Sequence, residues 1–224
     1  MTDARQAVDR ERRAAIGRER RARTRARIVA AAFELLGEEN GLYARVEDVS
    51  ARSGITRQTF YDHFTSMAEL REAVTHEVTH DFLVSVSLAI ATLADPRERA
   101  AAAIRFYLYR VRRDRRWGWS MLNLSANGVI FGAETFRQAE LTVQQGIAAG
   151  LLPLDDYRLG RHILMGTALA AMATMLREDT DADYPSRVAR GVLVGMGVSA
   201  DDAADISSRP LPGLVVLKDE EPPA

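Results

Sequence analysis

Two groups of residues in this chain have the types and spacing that chemistry needs. The first is His76-Glu77-Val78-Thr79-His80. Histidines four apart share a helix face and can hold zinc, with the glutamate between them acting as a base, as in a metal hydrolase. The flanks do not extend the motif. Leu83 and Val86 stand where its longer form needs glycine and a third histidine, and a further ligand would have to be a distant acid such as Glu98. The second group is Arg57, Gln58, Thr59, Tyr61, Asp62 and His63. These side chains donate and accept hydrogen bonds on or near one side of a short helix, a surface suited to a DNA major groove. Arg57 and Gln58 at the entering end suit base edges, while Thr59, Tyr61 and His63 suit phosphates. The chain carries no nucleophile elbow and no glycine-rich phosphate loop, so no catalytic residue and no cofactor is expected.

The second group needs a rigid mount, and the residues before it supply one. In VEDVSARSGITRQTFYDHF, Val46 and Val49 face inward on a first short helix, Gly54 allows the left-handed turn, and Ile55 packs the corner. Thr56 caps a second helix over 57–63, which turns Phe60 and Phe64 to the core. This is a helix-turn-helix, with Arg45 as a further charge beside it.

The run resembles the DNA-binding signature of the tetracycline-repressor (TetR) family of bacterial transcription regulators. Matching positions are Val46, Val49, Gly54, Ile55, Thr56, Phe60, Tyr61, His63 and Phe64, followed by Ser66, Glu69 and Leu70. Arg45 stands where the family usually has Thr or Ser, and Met67 where it usually has a phosphate-binding Lys. The resemblance implies an all-α chain, an N-terminal three-helix DNA-binding domain followed by a larger helical domain that binds a ligand and dimerises. Its partners would be double-stranded operator DNA, a second copy of the chain and a small-molecule effector. The second reading, from a different class, is a helical metal-binding protein or metalloenzyme using His76 and His80.

Composition is compatible with this. Of the residues, 47% are apolar and 27% charged, ordinary for a globular protein, and there is no cysteine to form disulfides or thiolate metal sites. No apolar run approaches the length a bilayer span needs, so the reading has no membrane partner and a cytoplasmic location. The net charge of −1 hides a polarised distribution. Arg5, Arg10, Arg12, Arg13, Arg18, Arg20, Arg21, Arg23, Arg25 and Arg27 crowd one end, against Asp3, Asp9, Glu11 and Glu19, whereas acids dominate from Asp201 onward.

These patterns divide the chain into a basic arm over 1–23, frayed or folding onto phosphates, a DNA-binding domain over 24–70, a helical domain over 71–208 and an irregular tail over 209–224. Apolar residues at helical spacing from Ile28 to Leu36 predict a first helix starting at Thr24. Ser66 with Glu69 predicts a capping box for a fourth helix, and Asp95-Pro96 starts the next, which runs to about Arg113. Arg110, Arg112, Arg113, Arg115 and Arg116 then satisfy carbonyls at helix ends. An aromatic and methionine-rich stretch follows. The expected effector pocket draws on Trp117, Trp119, Met121, Phe131, Phe136 and Met165 for apolar walls and on Asn123, Asn127, Gln144 and His162 for polar ones. Two small-residue helices, near 156–177 and 185–196, can approach a partner closely. With the family's dimer interface placed there by resemblance, Gly166, Ala170, Val188, Gly191, Val192 and Gly195 are the expected contacts.

Overall fold

The computed structural model describes residues 2–127 and 132–214, apart from the side chains of 2–10, 78, 79 and 127. The described residues form ten α-helices and two short 3-10 turns, with no strand among them.

The first helix starts at Thr2 rather than Thr24. α1 (Thr2–Leu36) is continuous for 35 residues, so the basic arm is a helix and not a frayed tail. Its first turns hold because arginine and alanine are strong helix formers that need no packing partner. The exposed Glu19–Arg23 pair at 2.8 Å adds a few tenths of a kcal/mol at most. Residues 11–23 are exposed, and full burial begins at Ile28. The change of period near Thr24 therefore marks where α1 starts to pack, not where it starts.

A 3-10 turn (Gly41–Tyr43) leads to α2 (Val46–Ser53), and Gly54 at φ 64° turns the chain into α3 (Arg57–Tyr61). The second helix is thus shorter than 57–63. Phe60 and Phe64 are buried among Ile28, Val29, Leu36, Val49, Leu70 and Val74. Each buried ring contributes about 1.5–3 kcal/mol by leaving water, which locks α3 against α1 and α4.

α4 (Met67–Ala91) belongs to both halves of the molecule. Ser66 caps it by accepting from the Glu69 N–H at 3.2 Å. The Glu69 carboxylate reaches the Thr65 N–H and hydroxyl, both at 2.6 Å, where a strict capping box would use the Ser66 N–H. α5 (Pro96–Arg113) is capped by Asp95, whose carboxylate accepts from the Arg97 N–H at 2.8 Å. It runs through the centre of the larger domain, with Ala101, Ile104, Leu108 and Val111 buried, and packs on α4 and on α6 to α10.

The stretch after α5 resolves into two helices. Asp114 caps α6 (Arg115–Leu124) by accepting from the Trp117 N–H at 3.0 Å, and α7 (Gly132–Ala148) follows. α8 (Tyr157–Arg177), α9 (Tyr184–Gly195) and α10 (Ala200–Ser208) complete the domain. The arginines near the α5–α6 junction bond carbonyls of the region between α8 and α9. Arg112 donates to the Asp181 and Ala182 carbonyls, and Arg115 to those of Met175 and Leu176 at the end of α8. Contrary to the expectation that no run approaches a membrane-spanning length, α8 is long and apolar enough by composition to cross one. Its Leu164, Met165, Ala168, Met172, Met175 and Leu176 are buried inside the domain, and this packing is what its apolarity serves.

Candidate nucleic-acid interface and effector cavity

The polar side chains picked out around α3 come together on one surface. Thr56 caps the helix, its hydroxyl accepting from the Thr59 N–H at 3.1 Å. Arg57, Gln58, Tyr61 and Asp62 are exposed, and Thr59 and His63 are half-buried. All but His63 make light contacts with one another or with Glu47. Arg57 pairs with Glu47 at 2.7 Å and lies 5.7 Å from the Tyr61 ring. Gln58 donates to the Asp62 carboxylate at 3.2 Å, and the Thr56 and Thr59 hydroxyls are 2.9 Å apart. Arg45 precedes α2 with its side chain exposed, its own N–H donating to the Asp48 carboxylate at 2.8 Å. Tyr43, also exposed, stands nearby and was not singled out from the sequence.

α1 crosses behind this surface and is tied to it. Arg21 donates to the Asp62 main-chain carbonyl, and the Arg25 guanidinium lies 4.9 Å from the centre of the Phe64 ring and pairs with Glu77. The Glu77 carboxylate is thus an anchor for α1. His76 and His80 stack with ring centres 5.1 Å apart. Among the described residues no group of three or more histidine and acidic side chains converges to hold a metal. The geometry does not favour the metal-site reading.

A cavity of about 540 Å³ opens between α4, α6 and α7. Ala68, Arg71, Glu72, Thr75, His76 and Leu83 line it from α4, and Met121 and Leu124 from α6. Gly132, Ala133, Glu134 and Arg137 contribute from α7. Of the residues expected to form a pocket, Met121 alone of those described borders it. Trp117 is 1% exposed and packs edge-on against Phe82 with ring centres 5.1 Å apart, so it is core. Trp119 is covered by the Arg177 guanidinium at 4.9 Å, and Phe136 by that of Arg161 at 4.1 Å. Asn123 is committed to main-chain carbonyls of Leu36 and Glu38. Met165 is buried, Gln144 half-buried away from the cavity, and His162 exposed. Phe131 and the Asn127 side chain lie outside the described residues. The missed residues had a signal in sequence: Ala68, Arg71 and Thr75 put small and polar side chains on one face of α4 at helical spacing, with the apolar Leu83 two turns further along.

The expected dimer residues form most of one outer face. Gly166, Ala170, Gly191 and Gly195 are exposed, alongside the large apolar side chains of Leu159 and Val194. Val188 is half-buried against the core, and Val192, 1% exposed, is turned into its own core, so it cannot belong to that face.

Comparison with known proteins agrees with this geometry. Residues 28–74 match the family model described as bacterial regulatory proteins, tetR family. Residues 95–209 match that of the tetracyclin repressor-like C-terminal domain. The chain is similar to the crystal structure of RolR in complex with resorcinol, at 25% identity and TM-score 0.71, over 88% of this chain and 99% of that one. It shares its fold with the regulator FadR from Bacillus subtilis in complex with stearoyl-CoA, at 20% identity and TM-score 0.60, over 78% of this chain and 98% of that one. A curated relative is the HTH-type transcriptional activator FasR of Mycolicibacterium smegmatis, 27% identical over 90 residues. That match takes in 40% of this chain and spans 41% of the relative's length.

Proposed function

The chain belongs to the tetracycline-repressor family of bacterial regulatory proteins, and on that premise we propose that it is a ligand-responsive repressor. In this reading it binds a palindromic operator as a homodimer and leaves it when a small, largely apolar effector enters the cavity between α4, α6 and α7. Access to the chromosome makes the cytoplasm its place of work.

One observation carries the reading: α4 is a wall of the cavity and also packs on α1 behind the recognition helix. An effector that binds one setting of α4 better than another shifts the population of the DNA-binding geometry, and only that difference in affinity does so. RolR with resorcinol and FadR with stearoyl-CoA support a cavity that takes small or acyl ligands. The exposed face of α8 and α9, with its small residues, supports pairing of two copies and hence an operator with two half-sites about 34–36 Å apart or a multiple of that spacing.

The test is selection of genomic fragments on purified protein, followed by footprinting and a reporter driven by the retained promoter. The reading requires enriched palindromes and raised reporter output when the gene is deleted. Retention with no preference over random duplex removes it, and lowered output on deletion makes the protein an activator.

A further inference from the structure

Two of the helices that wall the cavity, α4 and α6, hold the connector between α1 and α2. From α4, Arg71 Nη2 donates to the Leu42 carbonyl at 2.7 Å. From α6, Asn123 Nδ2 donates to the Leu36 and Glu38 carbonyls at 2.8 and 2.9 Å. The connector has little slack. Gly41 is buried so closely against the end of α1 that a Cβ there would lie 2.4 Å from the Leu35 carbonyl oxygen. α2 of the helix-turn-helix begins at Val46, so a change in the spacing of α4 and α6 is delivered to its first turn.

Arg71 also has a donor to spare. Its Nε is buried and has no hydrogen-bond partner among the described residues. Leaving a buried charged donor unpaired is costly, and an anionic oxygen is the acceptor that relieves it best. Of the buried arginine Nε atoms in that condition, that of Arg71 belongs to a residue bordering this cavity, whose Leu83, Met121 and Leu124 walls are apolar.

We propose that the cavity takes an organic acid with an apolar body, whose carboxylate or phenolate oxygen pairs with Arg71, and that Arg71 is the positioning residue carrying occupancy to the DNA-binding domain through Leu42. This rests on the reading of the cavity as the effector site. A volume of this size admits a body of roughly one to three rings or a medium acyl chain. The guanidinium is planar and rigid, so drawing its Nε to a ligand oxygen turns the same plane that holds the Leu42 carbonyl.

The experiment uses the full chain and two matched probe pairs, 2-naphthoate with 2-naphthamide and decanoate with decanamide. Calorimetry measures binding, and amide hydrogen exchange follows residues 37–45. At least one acid binds more tightly than its amide. Arg71→Gln weakens that acid by about ten- to a hundredfold while leaving the amide unchanged, the loss of one charged hydrogen bond. Arg71→Lys, which keeps the charge and loses the fork, falls between the two. The acid alters exchange over 37–45 in the parent chain and not in Arg71→Gln. Acids that bind no better than amides overturn the ligand class. Equal acid binding by all three proteins overturns the role of Arg71, and binding without a change over 37–45 overturns the coupling. None of these measurements uses DNA, so their failure is distinct from failure to find an operator.

Discussion

Arg21 Nη2 lies 2.6 Å from the main-chain oxygen of Asp62, joining the exposed part of α1 to the end of the recognition helix across 41 residues of sequence. The same arginine bears on His63. Burial lowers the pKa of that histidine from its ordinary 6.5. Arg21 and, less strongly, Arg25 lower it further, while Asp62 opposes them.

The pH dependence of stability follows from that direction. Because folded His63 holds its proton less tightly than the unfolded chain does, the unfolded state binds more protons between the lowered pKa and 6.5. Stability is complete above 6.5 and falls as pH drops through that window. Thermal melts at several pH values should show the parent chain losing more Tm on acidification than His63→Gln. Parallel losses in the two proteins would remove His63 from this role.

The basic helix ahead of Ile28 should add affinity to DNA without sequence preference. Arg12, Arg13, Arg18, Arg20, Arg21 and Arg23 are exposed, and phosphate contacts release counterions, so each contact contributes roughly 0.9 to the slope of log affinity against log salt. Deleting residues 1–20 leaves the buried part of α1 intact and should flatten that slope, as measured by fluorescence anisotropy on operator and random duplexes. An unchanged slope would make the segment a bystander.

At the recognition helix, Arg57→Ala should cost about 1–3 kcal/mol on the operator and little on random DNA. Glu47 neutralises Arg57 in the free protein at 2.7 Å, so Glu47→Gln should do the reverse of a readout mutation and raise affinity on both duplexes. Anisotropy titrations with the two variants separate base contact from phosphate contact. Equal loss on both duplexes for Arg57→Ala would assign it to the backbone.

The helix-turn-helix was legible because its punctuation is chemical: Gly54 at a positive φ, Thr56 and Ser66 as caps, and Phe60 and Phe64 on one face. Asp95 was legible for the same reason. Asp114 caps α6 in the same manner, yet it sits inside a run of arginines whose charge masks the boundary. The cavity was not legible from Trp117 or Trp119, since large apolar residues report burial, and burial is greatest where no space remains. Most of its lining comes from α4 and α7, with many small and charged residues, and α6 adds only Met121 and Leu124. The length of α1 escaped for a related reason, because apolar periodicity reports packing and a solvated helix has none.

The outer face of α8 and α9 offers a test in which folding and association move in opposite directions. A Cβ added at Gly191 or at Gly166 would meet nothing within 4 Å in the single chain, and both positions are helical with ordinary backbone. Replacing a helix glycine by leucine there removes a backbone entropy cost, worth about 0.5–1 kcal/mol of stability to the isolated chain. If two copies meet through this face, the same side chain must fit where the partner's backbone approaches, and overpacking of that kind costs about 1–3 kcal/mol. Gly191→Leu should therefore raise or leave unchanged the monomer's resistance to urea while weakening self-association and operator binding together. Sedimentation at decreasing concentration reads the association, and denaturation at concentrations below dissociation reads the monomer. Gly195→Leu is a less clean probe, since its Cβ would already sit 3.4 Å from Ile163. A Gly191→Leu protein that stays paired as tightly as the parent would place the interface on another surface, whatever its effect on monomer stability.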